Sequence, residues 1–315
     1  MTNPPLIRSL WWSARTQGEP PFDTAHLKVY YPAHAEGTDA ERLTGVFPPV
    51  PGEHPIVVFC SGVNVAQDSY RSLAIGIAEA GYVVVTFDRV AELFGGQYGL
   101  TCGVDLDAAR PDAYGTRPTC PTIPAILDAL RGIDLLKDSL DFDRVALGGH
   151  SAGGTVVLQS ARFFPGVRAA FGFGTHTMVA TMLGWPAGTV LPAQVECPVF
   201  LSVGTRDGVI MGSSDRYGQD GFADPVTRTF DEALPGEGHL FAVLDGANHF
   251  AVADPVDPTA ARAFLDLEPE RDPAESRAAY LEVLIAFLRA RLNGDPDSLE
   301  KVRENPPPSV TLREH

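Results

Sequence analysis

The fold is decided by residues 143–163, DRVALGGHSAGGTVVLQSARF. A strand over 143–148 runs into a cluster of glycines, and a helical, largely apolar segment over 152–163 leaves it. Gly149-His150-Ser151-Ala152-Gly153 matches the pattern G-x-S-x-G, which is weak by itself in a chain with 31 glycines. Its strand–turn–helix setting gives it weight, because a nucleophile elbow needs a strand that turns sharply into a helix. The small residues follow mechanically: a side chain at Gly149 or Gly153 would collide with neighbouring backbone, and Ala152 keeps the first helical turn clear.

On both sides of this segment, short β-branched runs alternate with helical patterns, the signature of a mostly parallel sheet covered on both faces. Residues 55–60 (PIVVFC), 82–87 (YVVVTF), 168–173, 198–203 (PVFLSV) and 240–244 (LFAVL) read as strands. Helices are expected over 70–80, stopping at Gly81, over a segment opened by Pro121 and Pro124, and over 274–291, where Leu281, Leu284, Ile285 and Leu288 share a face. The polar stretch 88–120 and the irregular insertion 175–195 lack periodicity and are expected to run over the surface beside the strands' C-terminal ends, where loops shape pockets. The first fifty residues yield one strand, 27–31. Residues 1–294 read as one α/β domain without a separate cap, followed by a Pro-rich, charged tail over 295–315, expected to be mobile or draped on the surface.

A serine hydroxyl is a poor nucleophile at neutral pH and needs a base, itself held in the right tautomer by a third group. In chain order Ser, acid, His, the candidates are Ser151, Asp207 in Gly204-Thr205-Arg206-Asp207-Gly208, and His249 in Ala247-Asn248-His249-Phe250. Each lies just past a predicted strand, on one edge of the sheet. Asp215, Asp220 and Asp231 are rival acids less close to a strand end. An oxyanion requires backbone N–H donors. Ala152 supplies one, and the loop Ser61-Gly62-Val63-Asn64 the other, with Val63 the first candidate and Ser61 or Asn64 the alternatives. His176, Trp185 and Asn64 are candidates for substrate contact, against ordinary roles as loop and packing residues.

Composition excludes several classes. With 24 basic and 40 acidic residues the formal charge is −16, which repels nucleic-acid phosphates and anionic lipid surfaces. No apolar run suggests a signal segment or a membrane span, so a cytoplasmic protein is expected. Cys60, Cys102, Cys120 and Cys197 lack metal-ligand spacing and read as inert thiols; a bridge between Cys102 and Cys120 is the one disulfide to look for.

The segments PIVVFCSGVN, AGYVVVTFD, GGHSAGG, PVFLSVGTRD and LDGANHF together resemble the dienelactone hydrolase, platelet-activating-factor acetylhydrolase and bacterial cutinase branch of the α/β-hydrolases, over roughly residues 55–290. The resemblance implies Ser151 as nucleophile, Asp207 as acid, His249 as base, and the amides of Val63 and Ala152 as oxyanion donors. It implies hydrolysis of a carboxylic ester, lactone or thioester, with a small-molecule acyl substrate, no metal or other cofactor, and homo-oligomerisation left open. The chain departs from the pattern at Ser61, where many relatives carry His, at Val63, where cutinases carry an aromatic, and at Ser151, where strict dienelactone hydrolases carry Cys. A biosynthetic cyclase or acyl transferase on the same scaffold, and a binding protein without activity, are the competing expectations.

Overall fold

The computed structural model describes residues 6–92, 96–218 and 224–315. Its chain order is β1 (Leu6–Arg15), β2 (Thr24–Ala33), α1 (Asp39–Thr44), β3 (His54–Cys60), α2 (Arg71–Glu79), β4 (Val83–Asp88), a small hairpin of β5 (Val90–Glu92) and β6 (Tyr98–Leu100), and α3 (Thr122–Leu130). There follow β7 (Leu140–His150), α4 (Ala152–Leu158), β8 (Val167–Phe173), β9 (Val199–Arg206), α5 (Gly208–Met211), α6 (Pro225–Ala233), β10 (Leu240–Asn248), α7 (Pro273–Leu292), α8 (Pro296–Glu304) and β11 (Val310–Glu314).

Nine strands form one sheet in the order β1-β2-β4-β3-β7-β8-β9-β10-β11. The six from β4 to β10 run parallel, while β1, β2 and β11 are antiparallel to their neighbours. This is the mostly parallel sheet that the alternating sequence pattern predicts, arranged as the resemblance to the α/β-hydrolases implies. Alternate residues of each strand feed two apolar layers, as a sheet buried on both faces requires. Ile56, Val58 and Cys60 of β3 join Val85, Leu147, Ile123 and Ile126 on one face. Val57 and Phe59 join Val84, Phe171, Ile77 and Phe287 on the other, under α2 and α7.

Three expectations are corrected. Residues 295–315 are not a tail outside the fold: α8 buries Leu299 and Val302 in the second apolar layer, and β11 adds the ninth strand along β10. Prolines explain the misreading, since Pro296 sits in the first turn of α8, where its missing N–H costs nothing. The N-terminal region contributes two ten-residue strands, β1 and β2, where one short strand was expected. β1 is the edge strand with Trp11 and Trp12 exposed, so it lacks the alternation of a half-buried strand. Finally, Cys102 and Cys120 are unbridged: the Cys120 thiol donates to the Cys102 carbonyl at 3.2 Å, and all four cysteines are free.

The last long helix forms nearly where expected, but its buried surface is wider than the Leu281–Leu288 stripe. Tyr280, Val283, Leu284, Phe287 and Leu288 are buried, whereas Leu281 and Ile285 are only partly so. No helix among the described residues is long and apolar enough to cross a membrane.

Candidate active site

Ser151, Asp207 and His249 each stand one residue past a strand, after β7, β9 and β10. Arg206 and Asn248 are register partners, so the chain leaves β9 and β10 side by side and delivers Asp207 and His249 to the same edge. Ser151 occupies φ 53° and ψ −127°, a strained conformation for a residue with a side chain. Its amide donates to the Phe173 carbonyl at 3.0 Å, which fastens the turn to β8. The glycines on either side are needed for close approach: a Cβ at Gly149 would strike the backbone of Gly153 and Gly154, and one at Gly153 would strike the carbonyls of Cys60 and Ser61.

His249 Nδ1 lies 2.9 Å from Asp207 Oδ2, and the two side chains are 2% and 1% exposed. The other carboxylate oxygen of Asp207 accepts from the Ile210 amide at 2.9 Å, which fixes the carboxylate at the start of α5. With Nδ1–H donating to Asp207, Nε2 is left as the basic nitrogen of the imidazole. Burial disfavours the imidazolium, but the Asp207 charge, its hydrogen bond and the charge of Asp266 outweigh burial, so the His249 pKa is raised above the ordinary 6.5.

His150, to which the sequence pattern assigns no role, is completely buried between two functional loops. Its Nε2 is 2.9 Å from the carbonyl oxygen of His249, an atom that can only accept, so Nε2 carries the proton. Its Nδ1 therefore accepts from the Tyr70 hydroxyl at 2.8 Å, and that hydroxyl accepts from the Gly62 amide at 3.1 Å. Burial holds the His150 pKa well below the usual histidine value, so the ring stays neutral.

The same bonds sort the oxyanion candidates. The Asn64 amide is spent on the Leu100 carbonyl at 2.9 Å and the Gly62 amide on Tyr70. Among the described residues the amides of Val63 and Ala152, and that of the alternative Ser61, have no such acceptor. The Asn64 side chain accepts from the Leu100 amide at 3.1 Å, so it clamps the loop to β6 rather than reaching toward a ligand. Trp185 likewise donates to the Ala109 carbonyl at 2.8 Å and meets Tyr114 edge-on, pinning the 175–195 insertion to the 88–120 excursion.

His176 remains a candidate for ligand contact. It is buried, its Nδ1 has no partner among the described residues, and its ring lies edge-on to Tyr217 with centroids 4.7 Å apart. Burial lowers its pKa to about 4 against the opposing pull of Asp207. Of the rival acids, Asp231 pairs with Arg313, Asp215 is exposed in a short turn, and Asp220 lies outside the described residues.

Sequence reasoning missed Asp266. One of its carboxylate oxygens accepts from the amides of His249 and Gly208, each at 3.1 Å, and of Leu267 at 3.0 Å. No local motif marks this residue, because two of its three partners, the amides of His249 and Gly208, lie 17 and 58 residues away in the chain.

A strand-elbow-helix serine, an acid and a histidine at one edge of a mostly parallel sheet define an α/β-hydrolase. The family model for the dienelactone hydrolase family matches residues 46–264, and the chain belongs to that family; it is a carboxylic ester hydrolase. Among solved structures it is similar to the ferulic acid esterase from Streptomyces cinnamoneus, with a TM-score of 0.64 and 19% identity over 99% of this chain and 97% of that one. That likeness speaks for the fold. No match was found among curated proteins.

Proposed function

We propose that the protein hydrolyses a small-molecule carboxylic ester or lactone through an acyl-enzyme on Ser151. His249 takes the serine proton, Asp207 holds the imidazole in its Nδ1–H tautomer, and the amides of Ala152 and Val63 receive the developing oxyanion. The imidazolium gives that proton to the alcohol oxygen as the ester bond breaks, and water activated by the restored imidazole then releases the acid. The observation that carries this reading is the sealed 2.9 Å contact between His249 Nδ1 and Asp207 Oδ2, one residue past adjacent strands on the edge that also presents the strained Ser151. A buried imidazole–carboxylate pair of this kind is arranged to take a proton at one nitrogen only.

The test is covalent labelling with a fluorophosphonate followed by peptide mass spectrometry. Stoichiometric modification of Ser151, abolished in His249→Ala, is the expected outcome. Modification at another residue, or none, would remove the assignment.

A further inference from the structure

The loop that follows β10 returns to the site and sets a second carboxylate on the backbone amides of His249 and Gly208. Asp266 lies beyond a short turn over Ala263–Leu265, and the loop is anchored to the oxyanion segment by the Ala261 amide, which donates to the Val63 carbonyl at 3.3 Å. From that position Asp266 Oδ1 receives the amides of His249 and Gly208, the residues that carry the candidate base and follow the candidate acid. Its Oδ2 is buried and has no hydrogen-bond partner among the described residues. A carboxylate kept half unsatisfied beside an imidazole is a costly arrangement that a neutral side chain would avoid.

We infer that Asp266 is a positioning residue for the hydrolytic site, holding the acid turn and the base turn at fixed separation through their backbone amides and adding a second negative charge close to His249. This rests on the reading of Ser151, Asp207 and His249 as the hydrolytic triad. Two consequences are separable. The amide bonds fix geometry, and any acceptor of similar reach preserves them in part. The charge acts through space on His249, and only an ionised group supplies it.

Among the described residues, the ionisable groups facing His249 are Asp207 from the start of α5, Asp266 from the returning loop, His150 from the end of β7 and His176 from the segment after β8. The two histidines have depressed pKa values and are neutral near pH 7. The two carboxylates are therefore the charges that favour the imidazolium, and removing one shifts its titration downward.

The experiment measures the pH dependence of fluorophosphonate labelling for wild type, Asp266→Asn and Asp266→Ser, together with NMR titration of the His249 imidazole in the same proteins. The acid limb and the imidazole midpoint are expected to move down by about half a pH unit to one unit in both variants. Asp266→Ala, lacking both charge and acceptor, is expected to label about tenfold more slowly on the plateau than Asp266→Asn. Midpoints equal to wild type in whichever variant folds would overturn the inference. Should wild type take no label at Ser151, the triad reading fails on its own, and the NMR midpoints still decide whether Asp266 acts on His249.

Discussion

The Tyr70 hydroxyl sits 2.8 Å from Nδ1 of His150, and through this contact the loop after β3 is tied to the turn after β10. The chain runs from the Gly62 amide to Tyr70, to His150 and to the His249 carbonyl, so one buried network spans the proposed oxyanion loop and the proposed base. Tyr70→Phe keeps the ring packed against Phe59 but strands the Gly62 amide and the His150 nitrogen. The two buried groups that lose a partner cost roughly 1–3 kcal/mol each in stability, and the part felt at the site is expected to lower kcat by about tenfold, about 1.4 kcal/mol, with KM changed less than about threefold. Steady-state kinetics on a soluble ester would show it, and an unchanged kcat would mean that the network does not set the site.

The raised pKa of His249 fixes the sign of the pH response. Catalysis needs the neutral imidazole, so kcat/KM should rise with pH through a midpoint above 6.5. Stability runs the other way: the contribution of this protonated group is fully present below its unfolded value and is lost as pH rises through the folded value. A kcat/KM profile with its acid limb centred below 6.5 would contradict the charge balance around His249.

His176 has the opposite sign, with a folded pKa of about 4 against an ordinary 6.5. The unfolded chain takes the proton first, so the stability from this group is full above 6.5 and is lost as pH falls toward 4. Calorimetry at pH 7 and at about pH 4.5 should show a smaller drop in Tm for His176→Phe than for wild type. Equal drops would mean that the ring is already protonated or solvated in the folded state.

Deleting residues 295–315 tests the C-terminal correction. The deletion removes Leu299, Val302 and Val310 from the core and opens β10 as a sheet edge. Three buried aliphatic side chains at roughly 1.5–3 kcal/mol each predict a fall in Tm of about 10 °C or outright aggregation. A truncated protein that melts like the full chain would return these residues to the role of a tail.

What the sequence reveals divides along physical lines. Strands β3, β4, β7, β8, β9 and β10 are legible because burial on both faces demands continuous apolar runs, and the elbow is legible because close backbone approach demands glycine at 149 and 153. Asp207 and His249 follow from chain order and from their places past those strands. The edges of the sheet are not legible: β1 is half solvated and β11 follows a Pro-rich stretch, so neither carries a strong alternation. The supporting residues are hidden for another reason. Asp266 and Tyr70 act on backbone amides or on a ring 80 residues away, and such partnerships leave no trace in local pattern. Asn64 and Trp185 show the converse, polar groups that the sequence offers for substrate contact but whose hydrogen bonds are spent on the Leu100 amide and the Ala109 carbonyl.

The most direct test of the central claim is initial-rate hydrolysis of p-nitrophenyl esters of increasing acyl length by wild type and Ser151→Ala. The account predicts turnover by the wild type that falls by at least about a thousandfold in the variant while folding and Tm are retained. Hydrolysis that persists in Ser151→Ala at the wild-type rate would contradict it.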